Sequence, residues 1–252
     1  MSPDAGKSAV IEGARPVIEA LRAGRRAVHR VVLPFEGDGS ASRRELQALL
    51  AELGIKPQRA KAGEGVHAHA DPYPEEDVEA LLAAASPRFL VALDRVTDVG
   101  NLGSIARSSE AAGVTGLVLE HRHAPPIRAG ALRASAGALE HLRVGRAPNL
   151  GRALDLAAAE GLTILVADPA GEPIEALPAH LFTGDLVWVF GSEDLGARAG
   201  IRKRAKATVG IPLAGRTSSL GVAAAAAHLL LRTAEIRRAN AGAKIAGSGE
   251  IS

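Results

Sequence analysis

Three apolar, β-like runs in this chain each lead into a glycine-bearing turn or the first turn of a helix. The segments are Asn101-Leu102-Gly103-Ser104-Ile105-Ala106-Arg107, Phe190-Gly191-Ser192-Glu193-Asp194-Leu195-Gly196 and Ile211-Pro212-Leu213-Ala214-Gly215-Arg216-Thr217-Ser218-Ser219-Leu220. Side chains and free backbone amides at such junctions can converge on one ligand. The pattern around them sets the fold class. From Phe89 onward, strand-like runs at Phe89 to Leu93, Gly116 to Leu119, Leu162 to Ala167, Leu186 to Phe190 and Thr208 to Ile211 alternate with helical stretches at 101–112 and 149–160. Such alternation predicts an α/β domain built on a mostly parallel sheet with helices on both faces. No Gly-x-Gly-x-x-Gly follows the first strand, so the dinucleotide fingerprint is missing.

Ahead of that series lies a smaller α/β set. Residues 9–23 read as an amphipathic helix broken by Pro16, Ala27 to Leu33 as a strand, and Gly65 to Ala70 as another. Ser42 to Leu53 reads as a helix capped by Ser42 with Glu45 three residues on, a capping-box pattern. The proline- and acid-rich run Asp71-Pro72-Tyr73-Pro74-Glu75-Glu76-Asp77 suits a linker or a helix lead-in. These marks divide the chain into a first domain over 8–75 and a larger one over 86–240. The larger domain ends in an alanine-rich helix from about Ser218 to Ala239, whose Arg237 and Arg238 complement the helix dipole. The Gly/Ala/Ser/Lys run 241–252 has little to bury and is expected to be a disordered tail.

A hydrophobic share of 47% excludes wholesale disorder, and the absence of cysteine excludes disulfides, thiolate metal sites and cysteine nucleophiles. No apolar run is long enough to cross a bilayer or act as a secretory signal, so a cytoplasmic, membrane-free protein is expected. With a net charge of only +2, binding to a polyanion must rest on local patches. Two are visible, at Arg22, Arg25, Arg26 and Arg30, and at Arg202, Lys203, Arg204 and Lys206. One Trp, one Tyr and four Phe argue against a platform of stacked bases. The pairs His67/His69 and His121/His123 lack an obvious third ligand, so no metal is expected.

In order and spacing, the three segments resemble the signature motifs of the SpoU/TrmH family of RNA ribose 2′-O-methyltransferases. The resemblance implies a C-terminal trefoil knot and a homodimer. It also implies a small N-terminal RNA substrate-binding domain, opening at Ile11 to Leu21, and rRNA or tRNA as partner, rRNA favoured. It implies S-adenosyl-L-methionine as cofactor, held by Gly191, Ile211, Leu213, Ser219 and Leu220. Arg107 would approach the ribose 2′-hydroxyl, with Asn101, Glu193 and Ser219 completing the catalytic set. Asn101 can cap the helix that projects Arg107, and Glu193 can orient the guanidinium by pairing with it. A guanidinium keeps its proton to about pH 12. Its role therefore needs a phosphate or carboxylate beside it, or consists of stabilising a developing alkoxide. The third motif departs from the family, with Gly221 and Ala223 where Asn and Ser are usual. That departure opens an alternative: a non-catalytic RNA- or ribosome-binding protein of the same fold.

Overall fold

The computed structural model of the protein describes residues 8–34, 39–217 and 219–248. The first unit is a four-stranded sheet of β1 (Ala9–Glu12), β2 (Val28–Leu33), β3 (Gln58–Arg59) and β4 (His67–Ala70), in the order β1-β4-β2-β3. It carries helices α1 (Ala14–Ala23) and α2 (Ala41–Glu52). Residues 9–12 are thus a strand rather than the start of a helix, paired antiparallel with β4 from Ala9 opposite Ala70 to Glu12 opposite His67. Gly13, at φ 94°, makes the corner. This puts Pro16 in the first turn of α1, where its missing N–H has no helical partner to lose. The cap of α2 is Ser40, which accepts from the Arg43 amide, not Ser42. Glu45 consequently forms no capping box and bridges Arg15 and Arg22 instead, at 2.9 Å each.

The second unit runs β5 (Glu75–Asp77), α3 (Val78–Leu82), β6 (Phe89–Asp94), α4 (Val99–Ala111), β7 (Gly116–Glu120), α5 (Ala129–Ala134), β8 (Arg143–Ala147), α6 (Leu150–Ala159), β9 (Thr163–Pro173), α7 (His180–Thr183), β10 (Leu186–Gly191), α8 (Ala199–Arg202), β11 (Ala207–Gly210) and α9 (Val222–Ser248). Its seven strands lie in the order β11-β9-β10-β6-β7-β8-β5, and every pairing is parallel. Alternate strand residues feed two apolar layers. Val91, Leu117, Leu165 and Trp188 face one, while Leu90, Val118, Ile164 and Val187 face the other. That confirms a sheet covered on both sides. β8 escaped the sequence pattern because Arg143 and Arg146 occupy it. They pair with Glu76 and Glu75 of β5, so the expected linker supplies an edge strand.

α9 closes the fold over β10. Trp188 is fully buried, stacks between Phe182 and Phe190, and donates to Thr233 Oγ1 at 3.0 Å. Arg237 lies 5.0 Å over the Phe89 ring and donates to the Phe182 carbonyl at 2.8 Å. The helix starts at Val222 rather than Ser218 and runs to Ser248, past the Ala239 end expected from the sequence, so 241–248 of the expected disordered tail are helical and 249–252 lie outside the described residues. β9 and β11 pair with a skip in register: Thr208 lies opposite Val166 but Val209 opposite Glu172. The intervening 167–171 segment is thrown out of the ladder. Gly171 allows this passage, since a Cβ there would stand 2.6 Å from the Val209 amide nitrogen. No described helix is long and apolar enough to cross a membrane, and no described group of acidic or imidazole side chains could hold a metal ion.

The arginines near the N-terminus join the two units. Arg26 pairs with Glu140, their side chains 2% and 1% exposed, and Arg26 also donates to the Asp71 carbonyl at 2.9 Å. Arg25 donates to Tyr73 Oη and to the Leu142 carbonyl. Tyr73 in turn donates to the Leu139 and Leu142 carbonyls, and burial pushes its phenol up to about 12, Arg25 pulling the other way. At Gly137, a Cβ would meet Glu19 at 2.8 Å. These residues were expected to face RNA, but two of them are spent inside the protein. Removing one partner of a buried ion pair strands the other charge, at a cost of about 3–5 kcal/mol. Glu140→Ala should therefore lower unfolding stability by about that amount in denaturant titrations. The double change Arg26→Met with Glu140→Leu should recover most of it.

Candidate functional site

A cavity of about 600 Å³ opens beside the C-terminal ends of β10 and β11 and the 167–169 stretch of β9. Gly191, Ile211, Leu213, Ser219 and Leu220 all line it, joined by Glu193. Ser218 lies outside the described residues. Two segments some twenty residues apart in the chain thus meet around one space, as the junction pattern predicts. Gly191 ends β10 in parallel register with Asp94 of β6. It must be glycine because a Cβ there would stand 2.0 Å from both Gly196 C and Ala197 N. The 192–196 turn therefore folds directly back on the strand, closed by the Ser192–Gly196 bridge.

Asn101 and Arg107 lie outside the cavity lining, on α4. The cap of α4 is Asp98, which accepts from the Asn101 amide at 2.7 Å, so Asn101 does not cap the helix. That frees the Asn101 amide side chain, which donates to Glu193 Oε1 and ties α4 to the cavity turn. Arg107 is six residues further on, about 120° around the helix from Asn101. It is exposed and has no partner among the described residues. The expected pairing of Glu193 with Arg107 is accordingly replaced by one with Asn101.

Three buried-edge residues went unread in the sequence. Asp94 and Glu120 end the neighbouring strands β6 and β7, and Arg198 bridges them at 2.6 and 2.8 Å. The Arg198 amide also donates to Asp94 at 2.8 Å, which fixes the far end of the cavity turn. Burial lowers and the two carboxylates raise the Arg198 guanidinium's affinity for its proton, with a net rise. The extruded 167–171 segment adds Asp168 and Pro169 to the cavity wall, and Asp168 holds Arg202 at 3.3 Å. Its turn chemistry, Asp-Pro-Ala-Gly, was the available signal. Of the second basic patch, Arg204 is taken by Asp155 at 2.7 Å, while the ammonium groups of Lys203 and Lys206 have no partner among the described residues.

Gly221 is the first residue to anchor α9, its carbonyl accepting from Ala225 at 3.0 Å. Its φ is outside the left-handed region and a Cβ would meet nothing within 4 Å. A side chain fits there. At Gly191 it does not, so Gly191→Ala should lower stability by about 3 kcal/mol, the upper range for overpacking, and abolish ligand binding in the cavity. Gly215→Ala, where a Cβ again meets nothing within 4 Å, should change neither in thermal melts and calorimetry.

The family profile described as SpoU rRNA Methylase family matches residues 88–231, and one for RNA 2′-O ribose methyltransferase substrate binding matches residues 10–62. A protein of Mycolicibacterium smegmatis named as an uncharacterized tRNA/rRNA methyltransferase is 34% identical over 251 residues, spanning 93% of this chain and 78% of its own. Another of the same description from Mycobacterium tuberculosis is 35% identical, spanning 93% and 76%. The crystal structure of the SpoU methyltransferase AviRb from Streptomyces viridochromogenes superposes with a TM-score of 0.74 at 25% identity, over 92% of this chain and 91% of that one. AviRb has also been solved in complex with the cofactor AdoMet, superposing at 0.73 with 25% identity over 91% and 90%. With a family profile over more than half of the chain and relatives at this identity along nearly all of it, the chain belongs to the SpoU rRNA methylase family.

Proposed function

We propose that the protein transfers a methyl group from S-adenosyl-L-methionine to a ribose 2′-oxygen of structured RNA, with rRNA favoured over tRNA. The observation that carries this reading is the cavity itself: the second and third motifs line one space, and Asn101 ties the first motif to it through Glu193. The residues fit the cofactor. At about 600 Å³ the cavity matches a nucleoside-sized ligand. Ile211, Leu213 and Leu220 offer an apolar slot for adenine, and the irregular backbone over 211–217 and 219–221 keeps amides free for polar atoms. The AdoMet complex of AviRb supports the same assignment. The trefoil knot belongs to the proposal, supported by the close passage of β11 against the extruded 167–171 segment.

The cofactor supplies a methyl group on an already activated sulfonium, so the chain's task is placement and charge control. Methylation of the 2′-oxygen would release its hydroxyl proton, which would pass to a neighbouring phosphate or carboxylate, since a guanidinium cannot take it. Arg107, exposed and unshared, is suited to stabilise the developing alkoxide. Glu193, held by Asn101, keeps a second carboxylate oxygen without a described partner, and Ser219 lies at the cavity wall. A homodimer completes the proposal. Leu195, 79% exposed, stands with Leu213 and Leu220 at the cavity, uncovered in the single chain.

The non-catalytic alternative is favoured by one observation: Gly221 brings no side chain to the start of α9. Mapping ribose methylation across rRNA and tRNA in cells with and without the gene separates the two readings. Arg107→Ala should cut methyl transfer at least about a hundredfold while leaving cofactor affinity nearly unchanged. Gly221→Asn should stabilise α9 by only a few tenths of a kcal/mol, since glycine is itself a tolerated cap, and raise turnover. If parent and Gly221→Asn proteins both bind cofactor yet methylate no RNA, the enzyme reading falls.

A further inference from the structure

The arginines divide by position. On the small sheet and at its junction with the large one they are used internally: Arg22 on Glu45, Arg25 on Tyr73, Arg26 on Glu140, Arg30 with His69. Five others are exposed and their guanidinium groups have no partner among the described residues: Arg95, Arg122, Arg128, Arg152 and Arg216. Each follows the C-terminal end of a large-sheet strand, Arg95 after β6, Arg122 and Arg128 after β7, Arg152 after β8 and Arg216 after β11. Because all seven strands are parallel, these ends share one edge of the sheet, the edge that holds the cavity. Two further unpaired arginines, Arg107 and Arg238, lie on α4 and α9.

Local geometry draws three of the five together. Leu93 and Leu119 are register partners, so β6 and β7 end side by side and Arg198 spans their last residues. Arg95 and the His121-Arg122-His123 turn therefore leave neighbouring strands, about 5 Å apart at that point. Arg128 opens α5, whose Gly130 would place a Cβ 3.4 Å from Val99, the first residue of α4. Arg95 and His123 hold left-handed backbone, at φ 62° and 65°. For a non-glycine residue this costs about 1 kcal/mol, and no bond to the Arg95 guanidinium from the described residues offsets it. The acids of the edge are mostly committed: Asp94 and Glu120 to Arg198, Asp98 to the α4 cap, Glu193 to Asn101. Asp194 is left unshared. The net result is a row of free guanidinium forks, the geometry that binds phosphate bidentately.

Resting on the reading of RNA as the substrate, we propose that the RNA phosphate backbone crosses this edge, held by Arg95, Arg122 and Arg128. Arg22, Arg25, Arg26 and Arg30, already paired, then contribute no phosphate contact, and the 10–62 segment that matches the substrate-binding profile meets the RNA through other groups. Each phosphate contact releases counterions and steepens the dependence of affinity on salt by about one log unit per log unit. The test is fluorescence anisotropy of a labelled RNA stem-loop over a range of salt. The triple variant Arg95→Asn, Arg122→Gln, Arg128→Gln should lose about 2 to 3 from the log–log slope, and each single change about one. Asparagine suits the left-handed position. Arg22→Gln with Arg30→Gln should keep the parent slope. Calorimetric S-adenosylmethionine affinity, unchanged in every variant, reports that the fold and cavity are intact. A parent slope retained by the single and triple variants overturns this surface, as does an equal loss in the Arg22/Arg30 pair. A parent protein with no salt-dependent RNA binding overturns both the surface and the RNA reading.

Discussion

Seven parallel strands direct all their C-terminal ends to one edge, and everything functional in this protein depends on that polarity. A parallel sheet needs a crossover between each pair of strands, and the crossovers leave irregular backbone at the strand ends. Here that edge gathers the β10 turn, the β11 loop, the start of α4 and the unpaired arginines. An antiparallel arrangement of the same segments would scatter them over both edges. The bridge from Asp94 through Arg198 to Glu120 then locks three of these strand exits to one another. It converts a shared edge into a fixed geometry.

Close backbone approach is the second constraint. At Gly191 and Gly171, main-chain atoms occupy the space where a Cβ would stand, 2.0 and 2.6 Å from the nearest neighbour. The first folds the cavity turn onto β10, and the second lets the extruded part of β9 pass β11. Both walls of the cavity therefore depend on residues without side chains, which forces the polar chemistry onto their neighbours Glu193, Asp168 and Ser219. Gly221 is different in kind. Space is open around it, so its lack of a side chain reflects no packing requirement of the fold.

Charge has two separate uses in the molecule. Buried or half-buried pairs such as Arg26 with Glu140, and Arg146 with Glu75, fix elements relative to one another. Such pairs add little net stability over apolar replacements but penalise any geometry that separates them. The small sheet is held in one orientation on the large one in this way. Exposed arginines without partners carry no such role. Their confinement to one edge and to two helices is informative only because so many of the remainder are paired.

The order of apolar runs was enough to determine the α/β class and the parallel sheet, while Gly191, Ile211, Leu213, Ser219 and Leu220, which line one cavity, were singled out by the motif resemblance rather than by periodicity. Strand periodicity and turn residues are local properties, and a parallel sheet brings the ends of such strands together whatever the details. Sequence did not reveal β5 and β8, because Glu75, Glu76, Arg143 and Arg146 satisfy one another across strands and leave no apolar alternation to read. It misplaced two helix caps by a few residues, since Asp98 and Ser40 are as good as Asn101 and Ser42 on composition alone. Nor could it tell the paired arginines from the free ones. Glu140 is more than a hundred residues from Arg26, and only the packing of the small sheet against the large one brings the two charges into contact. Partner choice among charged side chains is decided by tertiary structure, because the Coulomb term depends on distances in space that the chain order does not contain.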